Sequence, residues 1–476
     1  MLCENFAYPK LMNFFEEISA IPRGSYHEEK ISAYLVDFAK KRGLEYYCDK
    51  LGNVLINIPA TDDCKGRSAL LLQGHTDMVC EKNEGVEHDF LKDPLKLYVK
   101  DGWLRAEGTT LGADNGVAVA VMLALLDGAA ESHRPLQCLF TVSEEVGLDG
   151  AKAFDYSRIY ARKMVNMDSA DEKMIIAGCA GGLRSSVVLP IERKAHNGTC
   201  LSVKLKGLFG GHSGEDINRG RANADKLMGR LLYRLFEADE NARLVSVRGG
   251  TKENAIPREA EAVLVSADPQ LIRNRCEEIS REIASELVKD DRGFYIEIEE
   301  KSSADLPMTR ESQEKVVFLM FTIANGVFEI NHGLSGVVEF SRNLGITETR
   351  EHEVEFVVNS RSARESQIDL SASELDMYAK MLGGICNHFN RYPGWLYAEK
   401  SEIREEYAAA YRQLFDSDPE VEVIHAGLEC GIIKKALPDM DMLSCGPVVV
   451  NLHSPDEALD IASFERFFSV ILKLVL

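Results

Sequence analysis

The sequence predicts an α/β catalytic domain, with a mixed, mainly parallel sheet and helices on both faces, interrupted by an inserted α+β lid. Three successive textures along the 476 residues predict it. Helix and strand patterns alternate over roughly the first 180 residues, as they do in α/β units. Alternating strands flanking amphipathic helices follow, and from about Gly384 the α/β texture returns. The expected segments are residues 1–184 and 384–476 for the catalytic domain and 185–383 for the lid. No low-complexity linker marks the junctions.

In the first segment, residues 10–20 read as a helix. Ser25-Tyr-His-Glu28 has capping-box spacing before a second helix that ends at Gly43. Apolar runs at 54–59, 69–73, 136–142 and 163–167 are short, rich in branched residues and bounded by turn signals, as buried strands are. Residues 116–126 are small and apolar all round, which suits a helix packed tightly on that sheet. In the insert, strands are expected at 201–206, 260–265, 295–299 and 353–359, and helices at 222–237, 269–288 and 314–323. Two more helices, near 402–415 and 463–474, complete the catalytic domain.

Composition narrows the function classes. A formal net charge of −21 repels phosphate backbones and anionic lipid, so neither nucleic acid nor a membrane surface is an expected partner. No run of 18 apolar residues occurs. Met1-Leu-Cys-Glu-Asn-Phe has neither a basic region nor an apolar core, so no export leader is expected. Eleven scattered cysteines, an odd number with no CxxC pair, read as reduced thiols in a cytoplasmic protein.

Five short stretches carry chemistry. Leu70-Leu-Leu-Gln-Gly-His75-Thr-Asp77 ends a buried strand in His-x-Asp, at the strand end where ligands sit in open α/β sheets. A metal-ligating His75 oriented by the Asp77 carboxylate is one reading; a plain His–Asp hydrogen bond is the other. Gly108-Thr-Thr-Leu-Gly-Ala-Asp114 opens the small-residue helix, where an aspartate is ordinarily a cap. Ser143-Glu144-Glu145 sets adjacent carboxylates after an apolar strand, and both cannot be buried and ionised without a cation or a raised pKa. Asp168 closes another strand, and His453 follows Val448-Val-Val-Asn-Leu. Each has an ordinary explanation alone. Together they bring two histidines and at least three carboxylates to one sheet edge, with no thiolate, which suits Zn²⁺, Mn²⁺ or Co²⁺.

HTDMVCEKN, TTLGADNG, SEEVGLDGA, NMDS, AGCAGG and HSPDE, in this order, resemble the aminoacyl-histidine dipeptidase branch of the di-zinc metallopeptidases related to aminoacylase. Gly207-Leu-Phe-Gly-Gly-His212-Ser-Gly, Asn254-Ala-Ile-Pro-Arg258-Glu and Ser360-Arg361-Ser extend the resemblance through the insert. Ser169 stands where the family pattern has threonine, a departure that touches no ligand.

The resemblance implies that His75 and Asp168 hold one divalent ion, Glu145 and His453 the other, and Asp114 bridges them, most simply as zinc. It implies that Asp77 orients His75, that Glu144 is the general base toward a water between the two ions, and that the Asp114–Asn115 peptide is cis. In the insert, it implies that His212 steadies the oxyanion, in its own chain or in a partner chain of a homodimer formed through the lid. Asn254 and Arg361 would hold the substrate's C-terminal end, with Arg364 near enough in sequence to be confused with Arg361. His425 and Glu429 either line the pocket for the N-terminal residue or merely open a helix. The function implied is hydrolysis of dipeptides, Xaa-His among them. Two alternatives stay open: another amidohydrolase of the same fold (aminoacylase, carboxypeptidase-like or broad-specificity dipeptidase), and a non-catalytic metal-binding scaffold. The last is disfavoured because Glu144, Asp77 and every ligand position are intact.

Overall fold

A computed structural model of the chain describes residues 6–302, 305–331, 334 and 336–476. The first five residues, part of the stretch read for an export leader, lie outside it. Two compact units emerge: residues 1–179, 395–423 and 428–476 form one, and 180–394 with 424–427 form the other.

The first unit is built on an eight-stranded sheet. Its strand order is Glu45–Cys48, Val54–Ile58, Leu136–Thr141, Leu70–His75, Lys163–Asn166, Asp441–Ser444, Met174–Cys179 and Glu420–Ile424. The middle is parallel: Leu70–His75 runs alongside both Leu136–Thr141 and Lys163–Asn166, and the latter alongside Asp441–Ser444. Antiparallel strands flank that middle. Leu70–His75 and Leu136–Thr141 are buried at every residue, which is why they read as continuous apolar runs rather than alternating ones. Their few polar side chains pair with one another: Asn166 Nδ2 donates to Gln73 Oε1 (2.7 Å), and Gln73 Nε2 to Thr141 Oγ1 (3.1 Å).

The helix Ala113–Leu126 is buried along its length except at Asp114. Its small residues have a cause. A Cβ added to Gly74 in the central strand would sit 2.3 Å from Ala118 Cβ, so strand and helix approach as closely as glycine and alanine allow. Gly74→Ala should therefore destabilise the protein by about 1–3 kcal/mol through overpacking. An unchanged denaturant midpoint would show that the helix gives way freely.

Helices Pro9–Ser19 and Glu29–Arg42 stand where expected, the second closed by Gly43 in the left-handed region (φ 64°). The capping box does not form. Ser25 Oγ donates instead to Asp77, and Glu28 accepts from the backbone N–H and hydroxyl of Ser143, so both side chains serve loops at the sheet edge.

The second unit is a nine-stranded sheet in which every pairing among the described residues is antiparallel. Helices Ala224–Ala238, Pro269–Glu286 and Arg310–Thr322 fall close to the expected ranges. Strands Gly181–Pro190, Arg243–Gly249, Val338–Thr349 and Ile385–Tyr392, and the helix Glu365–Leu382, were not distinguished in the sequence. Leu201, Val203 and Leu205 pack with Leu231, Leu235, Ile272 and Ile279 in its core. No helix among the described residues is long and apolar enough to cross a membrane.

Candidate metal centre and recognition residues

Three adjacent parallel strands deliver the centre. His75 is the last residue of its strand, Glu144 and Glu145 follow Leu136–Thr141, and Asp168 follows Lys163–Asn166. Asp114 comes from the first turn of the buried helix, and the peptide joining it to Asn115 is cis.

The imidazole of His75 is held at Nδ1, 3.1 Å from the Asp77 carbonyl and 3.3 Å from its Oδ1. That leaves Nε2 facing Asp114 Oδ1 (2.9 Å) and Asp168 Oδ1 (3.5 Å). His453 Nε2 faces Asp114 Oδ2 (3.3 Å) and Glu145 Oε1 (3.1 Å). A ring nitrogen has one proton or one lone pair, yet each is set against two carboxylate oxygens. The two oxygens of Asp114 are divided between the two histidines.

The carboxylates' demand for positive charge shows in these rings. Asp114 and Glu145 push His453 up to about 11. Burial works against His75, yet Asp114, Asp168 and Asp77 carry it well above its ordinary value. Glu145 Oε1 is buried, and among the described residues it makes no hydrogen bond beyond its ion-pair contact with His453 Nε2 (3.1 Å). A donor set of nitrogen and carboxylate oxygen with a shared carboxylate fits divalent cations; His75, Asp114 and Glu145 offer donor atoms within 4.8 Å of one another. Backbone strain gathers here too: Ser143 and His453 both take positive φ, 53° and 59°.

Asp77 does more than orient a ring. Its Oδ1 accepts from the Glu144 N–H (3.0 Å) and its Oδ2 from the Glu145 N–H (3.3 Å) and Ser25 Oγ (2.8 Å). One fully buried carboxylate thus sets the imidazole and the Glu144–Glu145 loop in register. No ion pair joins Glu144 to either histidine among the described residues. Burial pushes its carboxyl well above the ordinary range, and Asp168, Glu145 and Glu429 add to the rise.

The residues that brace the Asp114 loop were missed in the sequence. Glu457 accepts from the N–H groups of Leu111 (2.8 Å), Gly112 (2.9 Å) and Asp114 (3.2 Å). Arg23, fully buried, donates to the carbonyls of Thr76 (3.0 Å) and Gly112 (2.5 Å), tying the His-x-Asp segment to the same loop. Gly112 sits at φ 66°, and a Cβ there would meet Arg23 Nη2 at 2.6 Å. Only the HSPDE stretch held a signal, and it drew attention to His453 rather than to Glu457. Glu457→Gln removes charge from a clamp on backbone donors and should weaken metal affinity by about 10–100-fold, as losses of outer partners do. Competition against a chelating indicator reads it, and unchanged affinity would remove Glu457 from the site's support.

Glu429 opens the helix Glu429–Ala436 and is wholly buried. Its Oε2 accepts from Gln73 Nε2 and from Thr141 Oγ1 (2.8 Å), while Oε1 has no hydrogen bond among the described residues. Burial pushes it up to about 7.

The second unit holds the other expected residues. His212 lies in a two-stranded ribbon, paired with Ala255 next to Asn254, whose carbonyl accepts from Ser213 N–H. The Glu215 N–H donates to His212 Nδ1 (3.3 Å), so the neutral ring carries its proton on Nε2. Burial and then the Arg361 charge keep His212 below its ordinary value, hence neutral. Arg361 is 6% exposed and has no carboxylate within 4.0 Å among the described residues. Its Nη1 donates to Tyr392 Oη (3.1 Å), and its Nε has no hydrogen-bond partner among the described residues. Arg364, by contrast, is half exposed and paired with Glu339 (3.1 Å). His425 is held by Ser341 Oγ (2.7 Å), and burial with the Arg361 charge lowers it to about 3. Tyr392 is a neighbour that the sequence did not suggest.

The comparisons with known proteins agree in kind. A model of "Peptidase family M20/M25/M40" matches residues 71–476. The chain is 37% identical over 469 residues to the cytosol non-specific dipeptidase of Escherichia coli (strain K12), covering 98% of this chain and 96% of that one. The crystal structure of aminoacylhistidine dipeptidase from Vibrio alginolyticus matches with a TM-score of 0.89 at 36% identity, over 99% of this chain and 97% of that one. That of aminopeptidase PepT from Bacillus cereus, at 16% identity and a TM-score of 0.58 over 99% and 98% of the two chains, shares the fold.

Proposed function

Because this chain belongs to peptidase family M20/M25/M40 and is a metallopeptidase, we propose that it is a dipeptidase whose substrates include dipeptides ending in histidine. The two similar relatives agree on dipeptides and differ in breadth, one being named non-specific and the other aminoacylhistidine dipeptidase. The observation that carries the reading is the division of Asp114 between two imidazoles.

His75 and Asp168 would hold one divalent ion and Glu145 and His453 the other, with Asp114 common to both; zinc suits these donors, as do cobalt and manganese. When bound, such ions polarise a carbonyl and bring the pKa of water down towards neutrality. Glu144, outside the ligand set, takes the proton of the attacking water and passes it to the departing amine nitrogen. His212, protonated at Nε2, donates to the carbonyl oxygen as negative charge develops.

Arg361 and Asn254 hold the free C-terminal carboxylate, and the absence of a carboxylate partner for Arg361 among the described residues, against the paired Arg364, supports that choice. Glu429, with its unpartnered Oε1, takes the substrate's N-terminal ammonium, and neutral His425 lines the pocket. The cytosol, named for the Escherichia coli relative, is the compartment proposed here, and the ten described cysteines, all free, suit it.

A substrate panel tests the reading. The zinc- or cobalt-loaded enzyme should cleave Ala-His, act weakly or not at all on Ala-Ala-His, and leave N-acetyl-histidine nearly untouched. Faster turnover of N-acetyl-histidine would make it an aminoacylase instead.

A further inference from the structure

Apart from the candidate centre in the first unit, the second unit gathers a cysteine, a histidine and an aspartate around one point. Cys386 and His388 stand two residues apart on the strand Ile385–Tyr392, so their side chains leave the same face. Asp376 comes from the helix Glu365–Leu382, which packs on that strand. His388 Nε2 lies 3.1 Å from Asp376 Oδ1 and 3.9 Å from Cys386 Sγ, and the three donor atoms are all within 4.8 Å of one another. The other ring nitrogen, Nδ1, is 2.8 Å from the hydroxyl of Ser185, a fully buried residue directly across the sheet from His388.

A thiol, an imidazole and a carboxylate can form a nucleophile relay, but a relay places the thiol on one ring nitrogen and the carboxylate on the other. Here both face Nε2, while Ser185 occupies Nδ1. The ring is therefore oriented from behind by a hydrogen bond and offers one nitrogen towards a thiol and a carboxylate, which is the arrangement a metal-ligating histidine requires. Around a tetrahedral zinc, with bonds of about 2.0–2.3 Å, donor atoms lie roughly 3.3–3.6 Å apart. The observed 3.1 and 3.9 Å fall on either side of that spacing, so small side-chain adjustments suffice.

We propose that Asp376, Cys386 and His388 bind one zinc-type divalent ion outside the catalytic pair, with the fourth position open to water. A thiolate and an imidazole beside a single carboxylate select zinc or cobalt over magnesium or calcium. The ion would tie the last strand of the nine-stranded sheet to its helix. Burial and the Asp376 charge push the Cys386 thiol up to about 12. A coordinating cation reverses that balance and removes the thiol proton to solvent as it binds.

Cobalt distinguishes this site from the catalytic one, because no cysteine belongs to the catalytic donor set. A thiolate bound to Co²⁺ absorbs in the near ultraviolet. Cobalt titration of the full chain should produce that charge-transfer band, with one additional ion bound per chain. Cys386→Ser should lose the band and the extra ion while dipeptide hydrolysis stays at the wild-type rate, and His388→Gln should weaken binding by at least tenfold. In the unaltered protein, zinc should also slow alkylation of Cys386, located by peptide mass, so the proposal does not depend on a variant that folds. No band at saturating cobalt, a band that persists in Cys386→Ser, or alkylation indifferent to zinc would each overturn it.

Discussion

Replacing Glu144 by glutamine should lower kcat on Ala-His by at least ~10²-fold while leaving metal content nearly unchanged. Glutamine keeps the shape of the side chain but cannot take a proton, so the loss isolates proton transfer. The loop should survive the change, because Asp77 holds it through the backbone N–H groups of residues 144 and 145 rather than through the Glu144 carboxylate. Glu145→Gln provides the contrast. Its carboxylate faces His453 at 3.1 Å, and its loss should lower occupancy of one ion before it lowers the rate of the loaded enzyme. Elemental analysis beside kcat separates the two. Normal turnover by Glu144→Gln at equal metal content would end the assignment of the base.

Amidating the substrate's C-terminus should be nearly as damaging. A buried guanidinium that loses its carboxylate partner remains desolvated and unpaired, at a cost of about 2–5 kcal/mol, some 30- to several-thousand-fold in kcat/KM. Arg361 meets the conditions for a loss of that size: it is buried, and among the described residues it has no carboxylate within 4.0 Å and no hydrogen bond at its Nε. Arg361→Ala closes a thermodynamic cycle, since it should cost most of this with the free acid and little with the amide. Arg361→Lys should not rescue fully, because an ammonium cannot reproduce the planar fork. Equal turnover of Ala-His and its amide would remove Arg361 from substrate binding and weaken the dipeptide reading with it.

The donor residues were legible because they follow or end runs of buried apolar sequence: His75 closes its strand and Asp168 comes two residues after another, and each stands out by contrast. Their supports were not. Arg23 and Glu28 sit in a stretch whose local pattern reads as a helix entry, and only the folded chain turns Ser25 and Glu28 towards Asp77 and Ser143. Glu457 lies more than 300 residues from the loop it clamps. The same limit applied to the fold. Strands of the first unit's sheet, buried on both faces, stood out as blocks, whereas Gly181–Pro190 begins with two glycines and carries arginine and two serines, a composition that argues against a strand until its neighbours are known. Arg361 was singled out by resemblance, and what distinguishes it from Arg364 is burial, which sequence does not carry.

The order in which the chain leaves the ribosome bears on the sheet that carries the metal donors. Lys163–Asn166 pairs in parallel with Asp441–Ser444, and His453 and Glu457 reach the Asp114 loop from still further along. Most of the second unit, by contrast, is contiguous in sequence. During synthesis it can fold while the first unit still waits for its last strands, with Lys163–Asn166, the neighbour of the apolar Leu70–His75, left with an unfilled edge in the meantime. Loop closure over such a span is slow and exposes aggregation-prone surface. Loss of the last few dozen residues would therefore remove more than two side chains: it would leave the catalytic sheet without its completing strand, a nascent chain for chaperones rather than a weakened enzyme.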